Sequence, residues 1–286
     1  MYLPEFELLR PGSEDEALGL LEKHGPNGGV VMAGGTDLLV NMKEGTFRPG
    51  IVILLDKLKG LGAIEESDGR ISIGALTTFD QIIRSEILIQ KAPVLVEACE
   101  KIGSPQIRNR ATIGGNIANA SPCADSVPAL VVLDAEAILK SCSGMRKLKL
   151  IECFQGPKEN AFRGDELLTA VEFTAPVQPQ NSFYREMGQR KALSITKLSV
   201  AGQLELKGNL VKEARIAYGA VAPTVLRGTA VEEELVGKEL TPALLDQVCV
   251  LAQREVKPIS DIRSTAQYRS HAIGILLKRG LESLLR

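Results

Sequence analysis

The sequence has few of the residues that common kinds of binding surface need. Its 286 residues include no tryptophan, and aromatic residues make up only 4% of the chain. Surfaces that stack nucleic-acid bases depend on such rings. The net charge is −1, from 34 basic and 35 acidic residues. Nucleic acid and anionic membranes attract proteins with a positive excess, so we expect neither as a partner.

Cysteine and histidine are also too sparse to build a metal or redox centre from this chain alone. The cysteines are odd in number and none stands in a C-x-x-C pair: Cys99, Cys123, Cys142, Cys153 and Cys249. This pattern disfavours a disulfide framework, a zinc site or an iron–sulfur site, and predicts free, mostly buried thiols. The two histidines, His24 and His271, lie on polar faces of expected helices, so no histidine-based catalysis is predicted.

Long apolar runs are missing as well. No uncharged stretch reaches the roughly 18 apolar residues of a membrane-spanning helix. The N-terminal residues show no basic region followed by an apolar run, so we expect no signal peptide and a cytoplasmic protein. Because 44% of the residues are apolar, the chain can bury a full core, as two domains or one large one.

Hydrophobic periodicity and cap residues predict an α+β fold. In the first part, helices are expected at 13–25, 38–43, 78–85 and 93–101, a helix capped by Asp125, and strands at 29–33, 51–55, 70–75, 135–141 and 167–174. Proline and amide residues at 176–181 predict a domain boundary. Beyond it, strands are expected at 199–206 and 214–221, and helices at 229–236, from Thr241, and at 268–285. Strands precede helices in this second part, which favours α+β over α/β.

Two glycine turns carry the strongest functional signal. Ala33-Gly34-Gly35-Thr36-Asp37 and Thr112-Ile113-Gly114-Gly115-Asn116 each adjoin an apolar run. Glycine permits positive φ and close ligand approach, and consecutive free N–H groups at such a turn can cradle an anion. Together the two loops could clamp one pyrophosphate from both sides. Neither is a G-x-G-x-x-G or a Walker A sequence, which disfavours a Rossmann site and a P-loop kinase.

Plainer interpretations stay open for these residues. Each double glycine taken singly is more often only a tight turn. Arg108 and Arg110, which precede the second loop, could steer a phosphate or lie in an exposed turn.

The two loops, read as AGGTD and TIGGNIANASPCAD, resemble the FAD-binding medium subunit of molybdenum hydroxylases. This family includes flavoprotein subunits of carbon monoxide, xanthine and nicotinate or quinoline dehydrogenases. Further matches are residues 219–223 with Arg227, and the segment from Asp261 to Arg269. The resemblance covers nearly the whole chain in the family's order.

The resemblance implies a particular α+β architecture. Residues 1–177 would form a two-subdomain FAD-binding unit of the vanillyl-alcohol-oxidase (PCMH) type, with subdomains of about 1–56 and 57–177. Residues 178–286 would form a C-terminal α+β domain of the carbon monoxide dehydrogenase flavoprotein type.

The resemblance also implies which residues contact FAD. The pyrophosphate would lie between two sets: Val31, Met32, Ala33, Gly34, Gly35, Thr36 and Asp37 on one side, and Thr112, Gly114, Gly115, Asn116, Ala118 and Asn119 on the other. Gly103 and Ile107 would line the cofactor upstream. Asp125 would bond ribityl or ribose hydroxyls, and Leu168 would bring backbone to the isoalloxazine ring.

One position departs from the family. Many relatives carry a lysine near the flavin where this chain has Glu186, with Arg185 beside it. Such a charge swap would alter the flavin potential or the electron acceptor, unless Arg185 substitutes for the lysine.

The function implied is that of an FAD-binding electron-transfer subunit, with no catalytic side chain and no metal of its own. A molybdopterin-binding large subunit and a [2Fe-2S] small subunit would be its partners, and NAD or another molecule would accept the electrons. The alternatives are a self-contained FAD-dependent oxidoreductase on the same fold and a non-enzymatic nucleotide-binding or assembly protein.

Overall fold

The fold mixes helices with sheets whose strands pair mostly antiparallel, which confirms the α+β class. The structure is a computed structural model and describes residues 2–190 and 193–285. No helix of these ranges is long and apolar enough to cross a membrane.

The N-terminal part is built on a small parallel sheet with strand order β1-β3-β2. Its elements are β1 (Glu7–Leu9), α1 (Glu14–His24), β2 (Val30–Met32), α2 (Leu38–Glu44) and β3 (Ile51–Leu54). Helix α1 starts as the sequence predicts, because the Ser13 hydroxyl accepts the N–H of Glu16 at 3.2 Å. The first glycine loop follows β2 directly, at the carboxyl end of a parallel strand.

A second sheet, antiparallel with order β4-β5-β10-β6-β7, carries the second loop. Its strands are β4 (Ile64–Ser67), β5 (Arg70–Gly74), β6 (Glu136–Ser141), β7 (Gly144–Lys149) and β10 (Leu167–Thr174). The helices between them are α3 (Phe79–Arg84), α4 (Glu86–Lys91), α5 (Pro93–Lys101), α6 (Pro105–Arg108), α7 (Ile113–Ala118) and α8 (Ser126–Val132). A short hairpin, β8 (Phe154–Gly156) with β9 (Glu159–Asn160), lies before β10.

The C-terminal part is an antiparallel sheet of order β11-β12-β13-β14 covered by helices. The strands are β11 (Ser182–Met187), β12 (Leu198–Lys207), β13 (Leu210–Gly219) and β14 (Leu226–Arg227). The helices are α9 (Thr229–Leu235), α10 (Pro242–Glu255) and α11 (Ala266–Glu282). Thr241 and Thr265 cap α10 and α11, accepting N–H groups at 3.3 and 3.2 Å.

Several boundaries differ from the sequence prediction. Strand β13 starts at Leu210 rather than Ala214, and α11 starts at Ala266 rather than Tyr268. Strand β11 was not predicted at all. It is an edge strand, and its free side is covered by α5, where Glu97 accepts the N–H of Tyr184 at 2.9 Å. The periodicity of β11 alone does not reveal this long-range cover.

The hydrophobic core is divided into clusters. One lies between α1 and the first sheet, one under the second sheet, and one between the C-terminal sheet and its helices. The second cluster also takes in Tyr184, Ala201 and Ala217, so the C-terminal sheet packs against α5 and α8. The boundary near residue 177 and the subdomain limits stay predictions.

Candidate functional site

The first glycine loop meets, backbone to backbone, the Arg110–Ala111 segment directly before the second loop. A Cβ placed on Gly34 would lie 1.8 Å from the carbonyl oxygen of Arg110 and 2.5 Å from its carbonyl carbon. No side chain fits at such distances, so glycine at position 34 is what allows this contact. The structure thus places the first loop against the segment that leads into the second loop, and the prediction that both loops contact one ligand stays a prediction.

The first loop presents unpaired backbone donors. Within residues 2–190 and 193–285, the N–H groups of Ala33, Gly34, Gly35, Thr36 and Asp37 have no hydrogen-bond acceptor. Gly35 has φ +74°, a left-handed conformation that turns successive amides to one side. Consecutive N–H groups of this kind suit an anion with several oxygens, such as a pyrophosphate.

The second loop corrects the sequence prediction, because its amides are not free. It forms the first turn of α7, where the N–H of Ile113 donates to Thr77 at 3.0 Å and that of Gly114 to Ala75 at 2.9 Å. The N–H of Gly115 donates to the Thr112 hydroxyl at 3.1 Å. The glycine at 114 serves packing, since a Cβ there would lie 2.6 Å from that of Ala75.

What the second loop offers instead is an open surface and a side-chain amide. Gly115 and Ala118 are exposed on one side of α7. The Oδ1 of Asn116 accepts the Ser126 hydroxyl at 2.7 Å, which leaves its Nδ2 as a donor. Asn119 ends the helix and is partly exposed. This loop therefore brings a small-residue surface and an amide to the site, not an amide cradle.

The β8–β9 hairpin bridges both loops, a feature that the sequence analysis missed. The backbone N–H of Lys158 donates to Ala120 at 2.9 Å, and the Asn160 amide donates to Ala118 at 2.7 Å. The Nζ of Lys158 lies 3.9 Å from Asp37 Oδ2 in the first loop. The Gly156-Pro157-Lys158 turn was the available sequence signal, but nothing local indicates that it faces the loops.

The structure also places the other residues that the sequence predicted to contact the cofactor. Gly103 has φ +52°, and Ile107 of α6 lies against it. Leu168 is buried beside a bulge in β10. Val31 and Met32 are half-buried in β2 directly before the first loop. Their contacts to FAD stay predictions.

Asp125 is not the side-chain cap that the sequence predicted for α8. No cap bond is formed, and its Oδ1 accepts the hydroxyls of Tyr184 and Thr196, each at 2.7 Å. Burial, with a smaller contribution from the charge of Glu186, raises the pKa of Asp125 to about 6, although the hydrogen bonds from Thr196 and Tyr184 oppose the shift. Asp125 thus joins the second loop region to the C-terminal sheet, and its predicted bond to ribityl or ribose hydroxyls stays a prediction.

We expect Asp125→Asn to remove a pH dependence of stability. A carboxyl whose folded pKa is raised favours the fold below pH 4, and that contribution is lost as the pH rises through 6. The variant keeps the oxygen acceptor. Between pH 4 and pH 7, its free energy of unfolding should rise relative to that of the wild type by up to about 3 kcal/mol. Urea unfolding at several pH values measures this difference. Glu65→Gln, on an exposed strand, is the control, and parallel pH profiles of D125N and wild type would contradict the expectation.

Arg185 and Glu186 lie on opposite faces of β11. The guanidinium of Arg185 donates to the Ser283 hydroxyl at 3.1 Å and lies 3.5 Å from Glu97 Oε2. Glu186 faces the side of Asp125, and burial raises its pKa, with Lys101 opposing the shift. Successive strand residues point to opposite faces, so Arg185 lies away from the Glu186 face, and a contact of either residue with FAD stays a prediction.

The residues present fit FAD. The glycine contact excludes a side chain from the point where the first loop meets the segment before the second, and the adjacent amides of residues 33–37 have no other partner within the described ranges. Lys158 adds a positive charge near the same loop. These features suit the phosphates of a dinucleotide.

Comparisons with known proteins identify the family of this chain. The family model of the FAD binding domain in molybdopterin dehydrogenase matches residues 4–176, and that of the CO dehydrogenase flavoprotein C-terminal domain matches residues 182–284. The glyceraldehyde dehydrogenase medium chain of Sulfolobus acidocaldarius is 32% identical, over 99% of this chain and 100% of that protein. The carbon monoxide dehydrogenase medium chain of Hydrogenophaga pseudoflava is 31% identical, over 99% and 98%.

A solved structure gives the same result. A chain of carbon monoxide dehydrogenase from Hydrogenophaga pseudoflava matches with a TM-score of 0.94 and 30% identity, covering 99% of this chain and 98% of that one. The fold and the family matches thus define a flavoprotein of the oxidoreductase class. The chain belongs to the family of FAD-binding medium subunits of molybdenum hydroxylases, and its cofactor is FAD.

Proposed function

We propose that this chain carries electrons through FAD within a multi-subunit molybdenum dehydrogenase. The observation that carries the proposal is the row of unpaired amides at residues 33–37, pressed by Gly34 against the backbone before the second loop. FAD, when bound, would take up electrons and pass them on. The protein's own part is to hold and orient the cofactor.

The amides of the first loop would hold the pyrophosphate, with Asn116 and the exposed Gly115–Ala118 surface on the other side. Lys158 would neutralise part of the phosphate charge. Leu168 would meet the isoalloxazine ring. Glu186, where many relatives carry lysine, would place a carboxyl rather than a cation on the Asp125 side of β11.

The partners proposed are a molybdopterin-binding large subunit and a [2Fe-2S] small subunit. Substrate would be oxidised on the large subunit, and the clusters would feed electrons to the flavin site of this chain. NAD or another molecule would accept them. The relatives named as medium chains or FAD subunits of dehydrogenases support this division of labour. The cytoplasm is the expected compartment.

Two measurements test the proposal. The purified protein should show flavin absorbance, or take up FAD to one equivalent, and the native protein should co-purify with two other subunits. A colourless chain that cannot be loaded with FAD would overturn the flavoprotein assignment and favour a plain nucleotide-binding protein. A chain that runs alone and turns over a substrate alone would replace the subunit assignment with a self-contained oxidoreductase.

A further inference from the structure

The short segment that leads into α11 exposes three apolar side chains. Ile262 is 95% exposed, Ile259 is 66% exposed, and Tyr268, in the first turn of the helix, is 47% exposed. A single exposed apolar residue is common on protein surfaces, but several in one short segment are typical of an interaction surface. Ile262 belongs to none of the core clusters, so the fold does not explain an isoleucine at this position.

The turn that carries Ile262 is fixed by hydrogen bonds. The N–H of Asp261 donates to the Ser264 carbonyl at 3.0 Å, and the N–H of Ser264 donates to the Asp261 carbonyl at 3.2 Å. The Asp261 carboxylate also accepts Arg269 Nη2 from the protein interior at 2.6 Å. Because the backbone around Ile262 is already ordered, little conformational entropy is lost when this side chain binds a partner.

The unpaired charges of this segment are positive. Arg254, at the end of α10, and Lys257 are exposed and form no ion pair within residues 2–190 and 193–285. The two acids of the segment are occupied. Glu255 accepts a backbone N–H from the first turn of α9 at 2.6 Å, and Asp261 is held by Arg269. The apolar side chains are therefore accompanied by cations that no acid of the described chain neutralises.

We propose that Ile262, together with Ile259 and Tyr268, docks into an apolar pocket with a rim of carboxylates on another subunit of the proposed complex. The proposal rests on the proposed function, since it requires that complex. The isoleucine would be the buried anchor of the contact. The carboxylates would pair with Arg254 and Lys257 at its polar rim.

Two other occupants suit this surface less well. In a two-fold dimer of this chain the same surface would meet itself, which would bring the unpaired cations of both copies together. An anionic membrane attracts proteins with a clear positive excess, whereas the net charge of this chain is −1. A partner with an acidic rim neutralises the cations and covers the apolar side chains at once.

The test compares Ile262→Asp with Val177→Asp in the native complex. Val177 is the matched control, since it is β-branched, 83% exposed, and lies between β10 and β11. Each tagged variant is produced with the two subunits that co-purify with wild type, after mass spectrometry has identified them. Mass photometry on dilution then measures dissociation. I262D should dissociate at concentrations about 30-fold higher than wild type, and V177D within about twofold of wild type.

Charge reversal tests the acidic rim. Arg254→Glu/Lys257→Glu should weaken the complex at low salt, and the difference from wild type should shrink at high salt because exposed charges are screened. A double variant as tight as wild type at low salt would overturn the acidic rim. Circular dichroism and FAD loading of each isolated variant should match wild type, because these side chains are exposed and outside the predicted FAD contacts.

Equal dilution curves for I262D and V177D would overturn the proposal. It would also be overturned in favour of a second copy if the isolated wild type dimerises and I262D does not. Binding of wild type, but not of I262D, to vesicles of phosphatidylserine and phosphatidylcholine would overturn it in favour of a membrane. Wild type that co-purifies with no other subunit would contradict the proposed function itself, and this proposal would fall with it.

Discussion

Gly34→Ala should weaken FAD binding by the order of 100-fold while the protein stays folded. The added methyl would lie 1.8 Å from the Arg110 carbonyl oxygen, and that neighbour is main chain that no rotamer change can move. The first loop must therefore shift away from the segment before α7. Overpacking of this kind costs about 1 to 3 kcal/mol. Here the strain would displace the loop amides from the positions in which they bind the phosphates. Fluorescence titration of the apoprotein with FAD measures the effect.

Gly19→Ala is the matched control. Gly19 lies inside α1, and a Cβ there meets nothing within 4 Å. Alanine in a helix interior is favoured over glycine by roughly 0.5 to 1 kcal/mol, so this variant should be as stable as wild type or more so, with unchanged FAD affinity. If G34A binds FAD as tightly as G19A does, the contact between the first loop and the segment before the second does not shape the phosphate site.

How far the sequence predicts this site depends on the range of the interactions. The first loop was predictable because its function is local: Gly34-Gly35 turns the chain after a strand and leaves the amides free. The second loop looks the same in sequence. Its amides are satisfied by Ala75 and Thr77, residues of another segment that no pattern within 112–116 reveals.

The same limit explains Asp125. Its position before a helix is typical of a cap, and the backbone does turn there into α8. Its carboxylate, however, accepts the hydroxyls of Tyr184, in β11, and of Thr196, in the segment before β12, at 2.7 Å each. Tertiary hydrogen bonds to a half-buried carboxylate outweighed a local cap worth about 1 kcal/mol. The family resemblance named the ligand, but it could not show which polar groups were already paired.

The segment from Asp261 to Arg269 entered the sequence analysis only as a match to the family, and its structure explains why an acid and a base stand there. Asp261 Oδ1 accepts the N–H groups of Arg263 and Ser264 at 2.9 and 3.1 Å, and Arg269 Nη2 at 2.6 Å. The Arg269 side chain is 5% exposed and its Nε has no partner among the described residues. Arg269 is therefore a buried cation that depends on one carboxylate.

Asp261→Asn should lower the free energy of unfolding by about 3 to 5 kcal/mol, because it leaves that cation buried without a counter-charge. Burial by itself would raise the pKa of Asp261, but the N–H of Arg263, the Arg269 side chain and the N–H of Ser264 outweigh it and hold the pKa at about 2. The wild-type advantage should therefore be constant above pH 4 and shrink as the pH falls toward 2. Urea unfolding of both proteins across this range measures it.

Asp246→Asn provides the comparison, since Asp246 pairs with Lys278 on the surface and its side chain is 67% exposed. Exposed ion pairs contribute about 0 to 1 kcal/mol, so D246N should differ little from wild type. D261N would then lower the free energy of unfolding several-fold more than D246N, although Asp261 and Asp246 each pair with a base on α11. Equal effects would mean that solvent reaches Arg269. A large effect of D261N instead identifies the buried pair as the contact that fixes α11 against the strand end at Ala220. The Ala220 carbonyl accepts Arg269 Nη1, and the Ala220 N–H donates to the carbonyl of Pro122 near the second loop.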